Sequence, residues 1–198
     1  MTRVGLLGGT FDPPHYGHLL AAQETAWQLH LDRVLFLPAH QNPLKRDDPS
    51  SAAHDRCEMV ALAIADNPTF ELSRLDLDRP PPSYSADLLR ALSSPDHELF
   101  FLIGADILPE LPKWREPDEI LRLARLVVVN RPGAPEPDPD SLSAALRGHR
   151  GLIYRVHIPG VDVSSTEIRK RVVAGQPIRY LTPPAVERYI AENRLYLA

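Results

Sequence analysis

The sequence predicts an α/β protein built on a doubly wound, mostly parallel sheet. Three observations carry that prediction. Short apolar runs alternate with stretches of helical periodicity along the chain. Val34 to Leu37 is a continuous apolar run, as a central parallel strand covered on both faces requires. The first run, Val4-Gly5-Leu6-Leu7, passes through a glycine pair into a helix, the place where such sheets bind phosphate.

Length and composition bound the rest. A chain of 198 residues is expected to form a single domain with its own core. A net charge of −4 excludes a broad basic surface, and with it nucleic acid as the expected partner. Cys57 is the one cysteine, so no internal disulfide forms and a reducing cytoplasm is the expected setting. No apolar run approaches the ~20 residues of a membrane span, and no signal-peptide pattern precedes Val4. Proline is abundant, 21 residues, but clustered, so it marks loops. Only three lysines stand against nineteen arginines, which singles out Lys45 in a predicted loop.

In order, Arg3 to Leu7 is the first strand. Leu19 to Leu29 is a helix with Leu19, Ala22, Ala26 and Leu29 at helical spacing, and Trp27 is expected in the core. Val34 to Leu37 is followed by a long polar loop, Pro38 to Ser51, of a length that is often functional. Ser50 or Ser51 is expected to cap a helix over Ala53 to Asp66, with Met59, Leu62 and Ala63 inward. Cys57 on that helix reads as a small packed residue, with no partner to activate it. Phe70 to Leu77 alternates like a half-exposed strand, Pro80-Pro81-Pro82 breaks the chain, and Ser83 caps a helix to Leu92. Leu99 to Ile103 is a buried strand ending in Gly104-Ala105-Asp106. Pro109 to Pro117 is a loop carrying Lys113 and Trp114, and Glu119 to Arg125 is a helix. Leu126 to Val129 is the fifth strand, Pro132 to Pro139 a surface loop, and Leu152 to Ile158 the sixth strand. Ser164 and Glu167 form a capping-box pattern for a helix that ends near Gly175. Thr182-Pro183 starts the last helix.

The stretch Gly8-Gly9-Thr10-Phe11-Asp12-Pro13-Pro14-His15-Tyr16-Gly17-His18 organises the chemistry. Gly8 and Gly9 leave no side chain between backbone and ligand. A helix N-terminus and backbone N–H groups attract an anion. His15 and His18, three apart where the helix begins, can face one phosphate. A zinc site is a weaker reading, because no third ligand follows at a familiar spacing. The cations and hydroxyls available are Lys45 and Arg46 on the long loop, and Ser165, Thr166 and Arg169 at a second helix N-terminus. Taken singly, Ser164-x-x-Glu167 is an ordinary cap and Arg169 a solvated residue. These residue types suit phosphoryl chemistry: in-line positioning, with neutralisation of the charge on phosphorus and leaving group.

The eleven-residue motif resembles the signature of nucleotidyltransferases carrying H-x-G-H. Ser164-Ser165-Thr166-Glu167-Ile168-Arg169, about 150 residues further on, resembles their second signature. Within that superfamily the chain is most similar, nearly end to end, to the bacterial nicotinate-nucleotide adenylyltransferases. The resemblance implies a Rossmann-like nucleotidyltransferase fold in one domain, its C-terminal helices from about residue 164 carrying the second ATP motif. It implies transfer of adenylyl from ATP to nicotinate mononucleotide, with Mg²⁺ held mainly by ATP phosphates and water and no protein metal cage. By the same resemblance, His15, His18, Lys45 and Arg169 are catalytic. Gly8, Gly9, Thr10, Phe11, His18, Ser165, Thr166 and Arg169 bind ATP. Ser83, Tyr84, Ser85 and Ala86 match the mononucleotide segment. Ile103-Gly104-Ala105-Asp106 and Leu111-Pro112-Lys113-Trp114 match a block in which the Asp holds ribose and the Trp stacks on the pyridine ring. The family's Pro-Pro-His-Lys loop reads Asn42-Pro43-Leu44-Lys45 here, so leucine stands at the histidine position; His40 substitutes if the loop bends back. Two alternatives stay open. One is a different acceptor, nicotinamide mononucleotide or phosphopantetheine; the other is a non-catalytic nucleotide sensor, against which intact His15 and His18 argue. A homo-oligomer is left open.

Overall fold

A computed structural model describes residues 1–40, 50–130 and 152–197. Among these residues six strands form one parallel sheet: β1 (Thr2–Gly9), β2 (Arg33–Pro38), β3 (Phe70–Leu72), β4 (His97–Gly104), β5 (Arg125–Val129) and β6 (Ile153–Val156). Their order is β3-β2-β1-β4-β5-β6, all pairs parallel. The helices are α1 (Tyr16–Gln28), α2 (Ala53–Ile64), α3 (Ser85–Leu92), a 3₁₀ helix (Leu108–Lys113), α4 (Pro117–Leu123), α5 (Ser165–Val173) and α6 (Pro184–Glu192). Among the described residues no helix is long and apolar enough to cross a membrane.

The apolar runs split by alternation into two cores. Val34, Phe36, Phe100, Leu102, Val127 and Val129 face α1, α2, α5 and α6. Val4, Leu6, Leu35, Leu37, Leu99, Phe101, Leu126 and Val128 face α3, the 3₁₀ helix and α4. Successive side chains point to opposite faces, so a strand buried on both sides is apolar throughout. Gly5 is where the segment joining α1 to β2 presses onto the sheet: a Cβ there would lie 2.8 Å from Leu31 Cδ1 and 3.0 Å from Val34 Cγ2. Gly5→Val is therefore expected to cost about 1–3 kcal/mol, read as a lower denaturant midpoint.

Several expectations change. Trp27 is 73% exposed, not in the core. Five residues of α-helix carry it about 140° round from Ala22, onto the opposite face. Leu62 likewise sits at the helix edge, 37% exposed. The strand at 70–77 stops at Leu72, since β3 is an edge that pairs only with β2, and the chain then turns at Arg74. Neither Ser50 nor Ser51 caps α2; its N-cap is Ala52. Tyr84, not Ser83, is the N-cap of α3. Pro109 to Lys113, the first part of the expected Pro109–Pro117 loop, belong to the 3₁₀ helix Leu108–Lys113. Ser164 does cap α5, its hydroxyl accepting from the Glu167 N–H. That helix ends in a Schellman turn: Gly175 lies at φ 64°, its N–H bonds Val172, and the Gln176 N–H bonds Arg171. The loop over 132–139 lies outside the described residues.

Candidate active site

Sheet order reverses between β1 and β4, and at such a switch point a crevice opens beyond the strands' C-terminal ends. A cleft of about 920 Å³ lies there, toward the upper end of ligand-pocket sizes. Gly8, Gly9, Thr10, Phe11, His15, His18, Ser165, Thr166 and Arg169 line it from the α1 and α5 side. Ser83, Tyr84, Ser85, Asp106 and Trp114 line it from the α3 and 3₁₀ side. Ala86 does not reach it: its side chain is sealed in the second core. Lys45 lies outside the described residues. Asp76 and Arg115, which the sequence did not assign there, also line the cleft, as do Lys113 and His40, the residue expected to substitute at the histidine position if the loop bent back.

The two histidine rings stack, centroids 3.7 Å apart and planes 22° from parallel. His15, 3% exposed, serves as the N-cap of α1. A Cβ on Gly17 would lie 3.0 Å from the His15 ring, so only glycine fits beside it without a shift. His18 Nδ1 accepts from the His15 backbone N–H at 3.2 Å, which leaves the ring proton on Nε2. Phe11, itself at φ 52°, meets the His18 ring edge-on at 5.0 Å. Both rings are thus oriented by packing before any ligand arrives.

Beneath the histidines the turn is held from four directions. Arg56 Nη1 donates to the Thr10 carbonyl at 2.9 Å and to Ala39 at 2.8 Å. Arg169 Nη1 donates to the Asp12 carbonyl at 2.8 Å. Ser165 Oγ donates to Pro13 at 2.8 Å, and Thr182 Oγ1 to Pro14 at 2.7 Å. Ser165 and Arg169 therefore do more than supply donors at a helix end: they lock the two sequence motifs together.

Asp12, the acid in this turn, is 2% exposed. Its carboxylate accepts from the Ser51 N–H at 3.0 Å and from the Tyr196 hydroxyl at 2.7 Å. Burial, and then the charge of Asp12, push the Tyr196 hydroxyl well above its ordinary range, so it stays a donor. Arg56 is 2% exposed; burial lowers its guanidinium while Asp12 acts in the opposite direction. Ser51 is gripped at both backbone atoms, because Arg56 Nε donates to its carbonyl at 3.1 Å. Arg56, Tyr196 and Thr182 were not legible as site residues; a buried arginine looks in sequence like any arginine on a helix. Cys57 is buried and its thiol is pushed up, as an inert packed residue should be.

On the opposite wall, Trp114 stands edge-on to Phe101 at 6.2 Å. Arg115 lies over the Tyr84 ring at 4.6 Å and reaches Asp87 at 3.5 Å. The Ser83 hydroxyl and the Asp76 carboxylate both accept from the His40 N–H, each at 3.0 Å. The His40 ring faces the Arg79 carbonyl at 3.1 Å.

Comparison with known proteins agrees with this geometry. Residues 6–171 match the family described as cytidylyltransferase-like. A relative from Roseiflexus sp. (strain RS-1), named "Probable nicotinate-nucleotide adenylyltransferase", is 47% identical over 98% of this chain and 97% of its own. One of the same name from Bacillus pumilus (strain SAFR-032) is 42% identical over 99% of each. In fold, the chain is similar to the Plasmodium falciparum nicotinic acid mononucleotide adenylyltransferase solved with NaAD: TM-score 0.79, 18% identity, 99% and 98% of the two chains covered. The chain belongs to the cytidylyltransferase-like family and, within it, to the nicotinate-nucleotide adenylyltransferases.

Proposed function

We propose that this protein transfers the adenylyl group of ATP to nicotinate mononucleotide, giving nicotinate adenine dinucleotide and pyrophosphate, a reaction of NAD biosynthesis. The whole chain acts as one nucleotidyltransferase domain, with the helices from about residue 164 completing the ATP side. The observation that carries the reading is the meeting, in one cleft, of the His15–His18 pair with Ser165, Thr166 and Arg169 across from Tyr84, Asp106 and Trp114.

The mononucleotide phosphate is already anionic and needs no strong base. One of its oxygens bonds to the α-phosphorus of ATP, the α–β bridging bond breaks, and pyrophosphate leaves. The protein aligns the groups and neutralises charge on phosphorus and leaving group. His15 and His18 serve as ring donors to that charge. Gly8, Gly9, Thr10 and Phe11 approach the nucleotides, and Ser165, Thr166 and Arg169 hold ATP. Lys45 adds an ammonium group. Ser83, Tyr84 and Ser85 take the mononucleotide, Asp106 its ribose and Trp114 its ring. Mg²⁺ entering with ATP would supply further charge neutralisation at the phosphates, beside that of His15, His18 and Arg169.

The test is pyrophosphate release from ATP and Mg²⁺ with nicotinate mononucleotide, nicotinamide mononucleotide and phosphopantetheine in turn. Release with the first is expected; turnover confined to phosphopantetheine, or no turnover with any, overturns the reading. Arg169→Ala is expected to raise the KM for ATP at least about tenfold while that for the mononucleotide stays within about twofold, since a charge-assisted contact is worth ~1.5–3 kcal/mol. An unchanged ATP KM removes Arg169 from the ATP site.

A further inference from the structure

The residues between Thr10 and Pro14 present four carbonyl groups whose hydrogen bonds leave the turn altogether. Thr10 is bonded by Arg56, Asp12 by Arg169, Pro13 by Ser165 and Pro14 by Thr182. The outer two donors are buried, Arg56 at 2% and Thr182 at 1% exposure. The carbonyls of Thr10 and Pro14 therefore point into the protein interior. A carbonyl oxygen carries partial negative charge and repels an approaching phosphate. A turn meant to receive an anion must face its carbonyls elsewhere. Two of its residues are prolines, which have no N–H to compensate. Left to itself, this turn is poorly suited to the task.

We propose that Arg56 and Thr182 are positioning residues for adenylyl transfer: they hold the Thr10 and Pro14 carbonyls inward, so that the turn presents an anion-accepting face and the histidines stand at a fixed height above it. The proposal rests on the adenylyl-transfer reading above. Arg56 has a second effect. The same Nη1 bonds Ala39 at the end of β2, and Nε bonds Ser51 ahead of α2. One side chain thus sets the separation of β1, β2 and α2 where they border the cleft. Thr182 does the same for the C-terminal region, and the Leu181 carbonyl beside it accepts from the Tyr16 N–H at 3.2 Å, in the first turn of α1. The histidines are carried on the segment between these two anchors. Displacing a catalytic group by about 1 Å can cost roughly 10²-fold in rate.

The test compares Arg56→Met, Arg56→Lys and Thr182→Val with the wild-type full chain. Turnover is measured per folded molecule, with folding checked by circular dichroism. Hydrogen exchange over residues 10–18 is followed without any substrate. Arg56→Met is expected to lower kcat at least about 30-fold, with the KM for the mononucleotide within about threefold, and to speed exchange in the turn while β4 and β5 stay protected. Arg56→Lys can reach the Thr10 and Ala39 carbonyls from one ammonium but not Ser51, so kcat is expected to return to within about fivefold of wild type. Thr182→Val, nearly isosteric, is expected to lose about tenfold in kcat with the same exchange signature. A merely structural role would lower stability and leave both kcat per folded molecule and turn exchange unchanged; that result overturns the proposal. Should Arg56→Met fail to fold, Arg56→Lys and Thr182→Val decide it, and wild-type kinetics in both overturn it. Exchange reads the turn directly, so an inactive wild type would count against adenylyl transfer alone, and unchanged exchange against the positioning role.

Discussion

His18→Ala is expected to lower kcat by about 10²–10³-fold while the affinity for ATP changes little. Losing a donor aimed at developing charge typically has that size. The geometry of the His18 ring suits that proposed role. Its Nδ1 accepts from the His15 backbone N–H, which places the ring proton on Nε2. Its ring is clamped between the His15 ring at 3.7 Å and the edge of Phe11 at 5.0 Å, so no rotamer search precedes the reaction. His15→Ala is expected to fall in the same range and to do more damage to the fold, because the residue is 3% exposed and its ring packs against Gly17. Steady-state kinetics beside calorimetric ATP binding separates rate from affinity. Near-normal turnover in either variant removes that histidine from the transition state.

The second large effect is selection of the acid over the amide. Nicotinate mononucleotide is expected to exceed the nicotinamide form in kcat/KM by about 10²-fold or more. A carboxylate offers acceptors alone, whereas an amide brings its own donor. The α3 side of the cleft is rich in donors. No side chain of Tyr84 caps that helix, so its first-turn N–H groups and the positive end of its dipole are open to an anion. Ser83 and Ser85 add hydroxyls lining the cleft. Asp87, the acid in that first turn, is engaged by Arg90 at 2.8 Å and Arg115 at 3.5 Å. An amide NH₂ would meet donors and leave buried groups unpaired, the situation in which polar sites reject an analogue strongly. Trp114 can stack on either ring, so Trp114→Ala is expected to weaken both substrates alike, while substitution at Ser85 shifts their ratio. Both kcat/KM values at saturating ATP are the measurement. Equal values, or preference for the amide, overturn the acid-specific reading.

The strands, the glycine-containing turn after β1 and the cap of the second motif were legible because their signals are local. A run such as Val34 to Leu37 has one economical fate, and a glycine pair between strand and helix has few others. Ser164 capped α5 as its spacing implied, since donor and acceptor lie three residues apart. Where a serine had a distant competitor, local reasoning failed. Ser51 gave its backbone to Asp12 and Arg56 rather than its hydroxyl to α2. Ser83 accepted from His40, 43 residues away, and Tyr84 became the N-cap of α3.

Amino-acid order alone thus dictated the alternation of strands and helices, the glycines at the turn after β1 and the pair of histidines on one helical turn. Each of these depends on backbone conformation over a few residues. Which side chains hold that turn was settled by folding. Arg56, Arg169, Ser165 and Thr182 reach it from 46, 157, 152 and 168 residues away. Trp27 was likewise turned outward by the orientation of α1 on the sheet. A buried carbonyl must find a donor, but nothing in its neighbouring residues says which one; only the packing of β1 between β2 and β4, with α2, α5 and the C-terminal region closing over its end, brings those four within reach.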